Sequence, residues 1–200
     1  MTEAQSASIE PALFKSAEQA VRFALSRDGN PPRPASSRML DATTGRREFS
    51  ALDQAAQAGM ILNIVEGGGR FSMAVMTAVV ISRSTPCSCR RPCCSGKAIN
   101  FEWHRAINII AEEALIQGIS RGRYLLRLAC VMKAFGEKKS QKQIAEDLGL
   151  EEDTVSKHFR AIQRWLIGAK AKHGNPPEPG QQMLIWREAE DALRGAGIVG

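Results

Sequence analysis

Hydrophobic and polar residues along this chain repeat mainly at helical spacing. Apolar residues at intervals of three and four, bounded by capping residues and glycines, predict a series of helices. The predicted helices span 17–28, 51–66, 102–117, 124–135, 141–148, 151–172 and 182–193. The segment 71–82, FSMAVMTAVVIS, is apolar almost throughout, so its pattern fits a buried helix or a buried strand. Because no other stretch is convincingly strand-like, we favour the helix and an all-α fold.

The apolar stripe of each helix predicts which of its faces is buried. In the predicted helix 51–66 the stripe is Leu52, Ala55, Ala56, Met60 and Ile64. In 102–117 it is Trp103, Ala106, Ile107, Ile110, Ala114 and Leu115, and in 124–135 it is Leu125, Leu128, Met132 and Phe135. Capping residues support two of the helix starts, because Ser16 with Gln19 has the spacing of a capping box and Ser50 precedes the second helix. Prolines and arginines in 29–49 predict a loop.

The most informative stretch is 140–166, SQKQIAEDLGLEEDTVSKHFRAIQRWL. Ser140 and Gln143 form a capping box at the start of one helix, and Gly149 is suited to a left-handed turn at its end. The acidic residues at 151–153 suit the start of a second helix, because they complement its dipole. Two helices joined by a glycine turn predict either a DNA-binding helix-turn-helix or an ordinary helical hairpin.

This stretch resembles the helix-turn-helix of sigma-factor region 4 and of LuxR-type response regulators. The residues that carry the resemblance are Ile144, Ala145, Leu148, Gly149, Thr154 and Val155. The resemblance implies that 151–172 is a recognition helix whose exposed face reads double-stranded DNA. This chain departs from the family pattern at 151–153, where three acidic residues stand in place of a basic or hydroxyl residue.

Charge supports a DNA-binding role for this part of the chain. Residues 121–173 carry 12 Lys and Arg against 6 Asp and Glu, so the net charge of +6 lies in that segment. Lys and Arg displace the counterions condensed on DNA, which is the basis of phosphate binding. The predicted DNA-binding residues are Lys142, Glu152, Asp153, Ser156, Lys157, Arg160 and Arg164. Further phosphate contacts are expected from Arg121, Arg123, Lys138 and Lys139.

Three of these residues have side chains suited to base reading. Lys157 or Arg160 would donate to guanine in the major groove, and Glu152 would accept a hydrogen bond from cytosine.

Four cysteines within eight residues form the second informative cluster. They are Cys87, Cys89, Cys93 and Cys94, in the segment PCSCRRPCC. Four thiolates are a common ligand set for structural zinc, so the cluster predicts a zinc knuckle, with free thiols as the alternative. His104 could replace one cysteine as a ligand, although a surface position on the following helix is the favoured reading. Cys130, within an apolar helix, is predicted to be a core thiol.

The cysteine segment loosely resembles the small SEC-C zinc motif, which also combines C-x-C, a C-C pair and S-G-K. Here Ser95-Gly96-Lys97 follows both cysteine groups instead of lying between them. A catalytic zinc is not expected, because Glu102 is the only carboxylate nearby in sequence. The three histidines, His104, His158 and His173, lie on separate segments. We therefore expect no enzyme activity.

Composition limits where the chain works. An apolar fraction of 44% with 24% charged residues is typical of a folded globular protein. No apolar run approaches the roughly 20 residues that cross a bilayer, and the first fifteen residues lack a signal-peptide pattern. A cytoplasmic location in a bacterial host cell is expected, without membrane association.

These observations predict four parts of the chain: a helical region at 1–82, a cysteine-rich knuckle at 83–100, a helix-turn-helix domain at 101–173, and a linker with a last helix at 174–200. The last helix either docks on the preceding helices or mediates a homodimer. The arrangement resembles bacteriophage late-gene regulators of the Q antiterminator type, which implies action on bacterial RNA polymerase. The alternatives are a phage repressor, a terminase small subunit or, less expected, a metal-dependent nucleic-acid enzyme.

Overall fold

A computed structural model describes residues 12–27, 51–87, 89, 95–169 and 177–200. The described residues are mostly helical, which confirms the all-α class in its broad sense. The helices are α1 (Ala17–Arg27), α2 (Ala51–Glu66), α3 (Gly69–Val80), α4 (Phe101–Ile116), α5 (Tyr124–Ala134), α6 (Gln141–Leu148), α7 (Glu152–Ile167) and α8 (Gln181–Gly195). Within these ranges, no helix combines the length and the apolar character needed to cross a bilayer.

The ambiguous apolar segment at 71–82 is helical, as favoured, and forms most of α3. Its buried residues are Ser72, Ala74, Val75, Met76, Ala78 and Val80. The helix packs mainly against α4, where the indole N–H of Trp103 donates to the carbonyl of Ala78 at 3.2 Å. An almost uniformly apolar helix fits here because α1, α2, α4 and α8 all pack around it.

Two helices bury a face that only partly coincides with the predicted stripe. Four members of the predicted stripes are half-buried against the core: Ile64, Leu128, Met132 and Phe135. In α2 the buried residues are Ala58, Ile61 and Val65, while Met60 is exposed. In α5 they are Leu126, Arg127, Cys130 and Val131, while Leu125 is exposed. Leu115 of α4 is also exposed, although the rest of the predicted α4 stripe is buried. These helices carry apolar residues on more than one side, so the pattern predicted the helices correctly and their buried stripes only in part.

Two short antiparallel ladders were not expected. Strands β1 (Ser84–Pro86) and β2 (Lys97–Ile99) pair and bring together the two ends of the cysteine-rich segment. Strands β3 (Gly168–Ala169) and β4 (Glu178–Pro179) pair immediately after α7. The region predicted as a linker at 174–180 therefore ends in a strand that is bonded to the chain that follows α7.

Helix α7 is shorter than predicted. We expected a helix to about Lys172, but the helical hydrogen bonding ends at Ile167, and Gly168 has a φ of 93°. That backbone conformation is open mainly to glycine, so it ends the helix. At the other end, Glu151 is the N-cap residue instead of the first helical residue.

Helix α1 begins as predicted, but its capping differs from the expected box. The Ser16 hydroxyl accepts from the backbone N–H of Gln19 at 3.4 Å, whereas the Gln19 side chain accepts from Lys15. A carboxylate from α8, that of Glu190, accepts from the N–H of Ala17 at 2.6 Å. The end of the chain also reaches this helix, because Phe14 and Val199 form a parallel bridge. The predicted Ser50 cap lies outside the described residues.

One continuous hydrophobic core joins the helices at both ends of the chain. Helix α8 inserts Ile185, Ala189 and Leu193 and contacts α1, α2, α3 and α7. The rings of Phe71 in α3 and Trp165 in α7 stack with centroids 5.3 Å apart. Of the two roles considered for the last helix, docking within the chain is therefore what the structure has, and α7 is anchored from the N-terminal half as well.

The backbones at Gly168 and Gly180 cross too closely to leave room for a side chain at either position. A Cβ on Gly180 would overlap the backbone of Ile167 and Gly168. We expect Gly180→Ala to lower the free energy of unfolding by more than about 2 kcal/mol, because the β3–β4 pair would have to separate. Chemical denaturation measures this change. The matched control is Gly59→Ala, in open space inside α2, which should stabilise by about 0.5–1 kcal/mol. Wild-type stability in Gly180→Ala would contradict the crossing.

The predicted core thiol, Cys130, is fully buried. Burial raises its pKa from 9.0 to about 11. The folded protein therefore retains a proton that the unfolded chain releases above pH 9, so stability should fall between pH 9 and pH 11. We expect Cys130 to resist alkylation at pH 8 until the chain unfolds, as measured by mass spectrometry of its peptide. Cys130→Ala should reduce the loss of stability above pH 9, and fast alkylation of folded wild type would refute the assignment.

Candidate nucleic-acid interface

Helix α6 and the turn after it are formed by local interactions. The Ser140 hydroxyl accepts from the N–H of Gln143 at 3.1 Å, and the Gln143 side chain accepts from the N–H of Ser140 at 2.9 Å. This is the predicted capping box. Gly149 ends the helix with a φ of 61°, in the left-handed region. Leu150 then donates to the carbonyl of Ala145 at 2.9 Å, which closes the turn.

One face of α7 is buried and the other faces solvent. Val155, Ile162 and Leu166 are buried among α5, α6 and α8. The predicted DNA-binding residues Lys142, Glu152, Asp153, Lys157, Arg160 and Arg164 are all exposed, and Ser156 is half-buried. The structure therefore brings the α7 members of the set onto the outer surface of one helix.

Charge changes sign along this exposed face. Glu152 and Asp153 lie in the first turn of α7, where negative charge complements the helix dipole. Lys157 and Arg160 follow one turn and two turns later. Neither side chain forms an ion pair with any residue in the described ranges. Both side chains are exposed to solvent.

Two of the predicted phosphate-binding residues already have carboxylate partners. Arg164 donates to the carboxylate of Glu178 through its Nε and its Nη2, at 2.7 to 2.9 Å. The Lys139 ammonium donates to the carboxylate of Asp147, and this hydrogen bond raises the pKa of Lys139. By contrast, Arg121, Arg123, Lys138 and Lys142 are exposed and have no ion-pair partner in the described part of the chain.

Sequence reasoning missed the role of His158. Its Nδ1 lies 2.7 Å from the hydroxyl of Ser120, which is buried in the loop between α4 and α5. Gly122 in the same loop lies against the imidazole, because a Cβ there would be 3.0 Å from the ring. The hydrogen bond holds the loop that carries Arg121 and Arg123 beside α7. Nothing in the apolar spacing could have indicated this contact between residues 38 positions apart.

The loop between α4 and α5, which carries Arg121 and Arg123 and is called the basic loop below, also binds Arg127, a buried cation in α5. Its Nε donates to the carbonyl of Ala111 at 3.2 Å, and its Nη1 donates to the carbonyl of Gly122. The guanidinium carbon also lies 5.9 Å from the ring centroid of Tyr124. Because Arg127 is buried, it adds nothing to the external basic surface. Its hydrogen bonds join α5 to α4 and to the basic loop.

The cysteine cluster is described only in part. Cys93 and Cys94 lie outside the described residues, and the other two predicted ligands follow β1 in the hairpin. The N–H of Cys87 donates to Gly96 at 2.9 Å, and the N–H of Cys89 donates to the Cys87 sulfur at 3.4 Å. The Cys87 sulfur therefore accepts a backbone hydrogen bond within this segment.

Among the described residues, no group of three His, Cys, Asp or Glu forms a metal-binding set. His104 is half-buried in the first turn of α4 and lies 3.4 Å from the amide nitrogen of Asn108.

Comparison with known proteins adds no family assignment. No family model, no curated protein and no solved structure matches this chain. The interface is therefore defined by its own geometry. It consists of the exposed face of α7, the capped start of α6, and the basic loop that His158 holds beside them.

Proposed function

We propose that this protein is a sequence-specific DNA-binding transcription regulator that uses α6 and α7 as a helix-turn-helix. The observation that carries the proposal is the exposed face of α7, with Lys157 and Arg160 unpaired within the described residues and an apolar face buried behind them. A recognition helix needs this arrangement, because its buried face fixes its orientation while its outer face enters the major groove.

The flanking cations support the same proposal. Arg121 and Arg123 lie on the loop held by His158, and Lys142 lies in the first turn of α6. Cations on both sides of a recognition helix would contact the phosphates that border the groove and orient the helix. Lys157 or Arg160 would then donate to guanine, and Glu152 would accept from the amino group of cytosine.

The narrower proposal is a regulator of the phage Q antiterminator type that acts on bacterial RNA polymerase. Its support is the resemblance of 140–166 to sigma-factor region 4, together with the cysteine segment that precedes this part of the chain. Zinc would act as a structural ion held by Cys87 and Cys89 with Cys93 and Cys94. By coordinating four thiolates, the ion would cross-link the cysteine-rich segment and make it rigid.

Base reading and phosphate binding can be separated by substitution. Lys157→Ala and Arg160→Ala should each weaken binding to the preferred site by about 1–3 kcal/mol. Both variants should bind a random-sequence duplex with nearly the wild-type affinity. Lys142→Ala should weaken binding to all duplexes similarly and reduce the salt dependence by about one charge. Fluorescence anisotropy over a salt series measures these changes.

The control for these substitutions is Lys15→Ala, which removes an exposed charge from the segment before α1. Equal losses on specific and random DNA for Lys157→Ala and Arg160→Ala would assign both residues to phosphate contact alone.

The decisive experiment is selection of bound duplexes from a random pool at near-physiological salt, with and without a zinc chelator. Enrichment of one sequence is expected, and its symmetry would distinguish a monomer from a homodimer. Loss of that sequence upon chelation is expected if zinc orders the cysteine segment. If no sequence is enriched, the proposed function is wrong. If a sequence is enriched equally with and without the chelator, the proposed DNA binding is supported and the proposed structural zinc is wrong.

A further inference from the structure

Arg164 continues the basic row on α7. It lies four residues after Arg160 and seven after Lys157, so the three side chains share one side of the helix. The first two have no ion-pair partner in the described ranges, whereas Arg164 is held by Glu178. Its Nε donates to Oε2 at 2.9 Å, and its Nη2 donates to both carboxylate oxygens at 2.8 and 2.7 Å.

The backbone fixes the position of Glu178. Gly168 pairs with Pro179 and Ala169 with Glu178, so the acidic residue is bonded directly beyond the end of α7. The crossing is so close that a Cβ on Gly168 would overlap the carbonyl of Glu178. Gly180, two residues after Glu178, is the N-cap of α8, whose apolar face is buried in the core. The backbone that carries the carboxylate is therefore held by the β3–β4 pairing and by the start of α8.

The ion pair is open to a competing anion. The side chains of Arg164 and Glu178 retain 66% and 59% of their exposure. A guanidinium binds a carboxylate and a phosphate through the same fork of N–H groups. The donors that now point at Glu178 cannot bind a DNA phosphate at the same time.

We propose that Glu178 acts as an internal substitute for a DNA phosphate on Arg164. The proposal rests on the DNA-binding function proposed above and concerns how that binding is limited. The carboxylate removes one cation from the phosphate-binding surface, so it weakens binding to duplexes of every sequence. Base reading by Lys157 and Arg160 is not affected, because those side chains lie two turns and one turn closer to the start of α7.

Replacing the carboxylate with an amide tests the proposal. Glu178→Gln should bind a random-sequence duplex roughly fivefold more tightly than wild type at 100 mM salt. The slope of log K against log salt should steepen by about 0.9, the value for one additional phosphate contact. Full-length protein and anisotropy titrations from 50 to 200 mM salt provide both quantities. Exposed ion pairs contribute little to stability, so the variant should retain the wild-type helical circular dichroism and Tm.

Two controls separate the specific effect from a change in net charge. Asp191→Asn adds the same charge on an exposed position of α8 and should leave both quantities near wild type. In an Arg164→Gln background, Glu178→Gln should have no effect. Arg164→Gln alone should weaken binding less than Arg123→Gln, because Arg164 is already neutralised, and this comparison holds even if Glu178→Gln fails to fold.

The outcomes distinguish this inference from the proposed function. If wild type binds DNA and Glu178→Gln behaves like Asp191→Asn, Glu178 has only a structural role and the inference is overturned. An equal gain in the Arg164→Gln background would also overturn it, since the gain would then come from general electrostatics. If wild type binds no duplex at any salt concentration, the proposed function fails and the inference fails with it.

Discussion

Burial of one side of α7 is the constraint on which the rest of the structure depends. Val155, Ile162 and Leu166 are fully enclosed, and Trp165 stacks on Phe71 from the N-terminal half. Apolar burial of this extent fixes the rotation of a helix about its axis, since any rotation would expose those side chains. The rotation in turn decides which polar residues face solvent. The candidate interface is thus set by packing on the opposite side of the same helix.

Local signals in the sequence predicted helices well. The capping box at Ser140 and Gln143, the glycine turn at Gly149 and the amphipathic spacing of α7 all involve residues within a few positions of one another. Interactions over such short separations depend less on tertiary context than contacts between helices do. At α1, however, a carboxylate from α8 changes the predicted capping. The buried faces of α2 and α5 were predicted only in part, because the choice of face depends on neighbouring helices. Leu125 and Leu126 are equally apolar, and only the position of α4 and α7 decides that Leu126 is inside.

The candidate site shows the same division. The exposure of Lys157 and Arg160 followed from the period of one helix, so it was predictable. The contacts of His158 with Ser120 and of Arg164 with Glu178 join residues 38 and 14 positions apart. No repeat or propensity encodes such pairs. The β3–β4 ladder was missed for a related reason, because two-residue strands beside prolines and glycines have the composition of a loop.

The contact between the two ends of the described chain has a consequence for the order of folding. Phe14 donates to Ile198 at 3.2 Å, Gly200 donates to Phe14 at 3.3 Å, and Glu190 binds the first turn of α1. During synthesis, none of these bonds can form until the residues near 198 have left the ribosome. Helix α1 therefore acquires its full set of partners only after α8 has been made. Until then α1 can pack only against α2 and α3, and the part of its surface that α8 covers stays exposed.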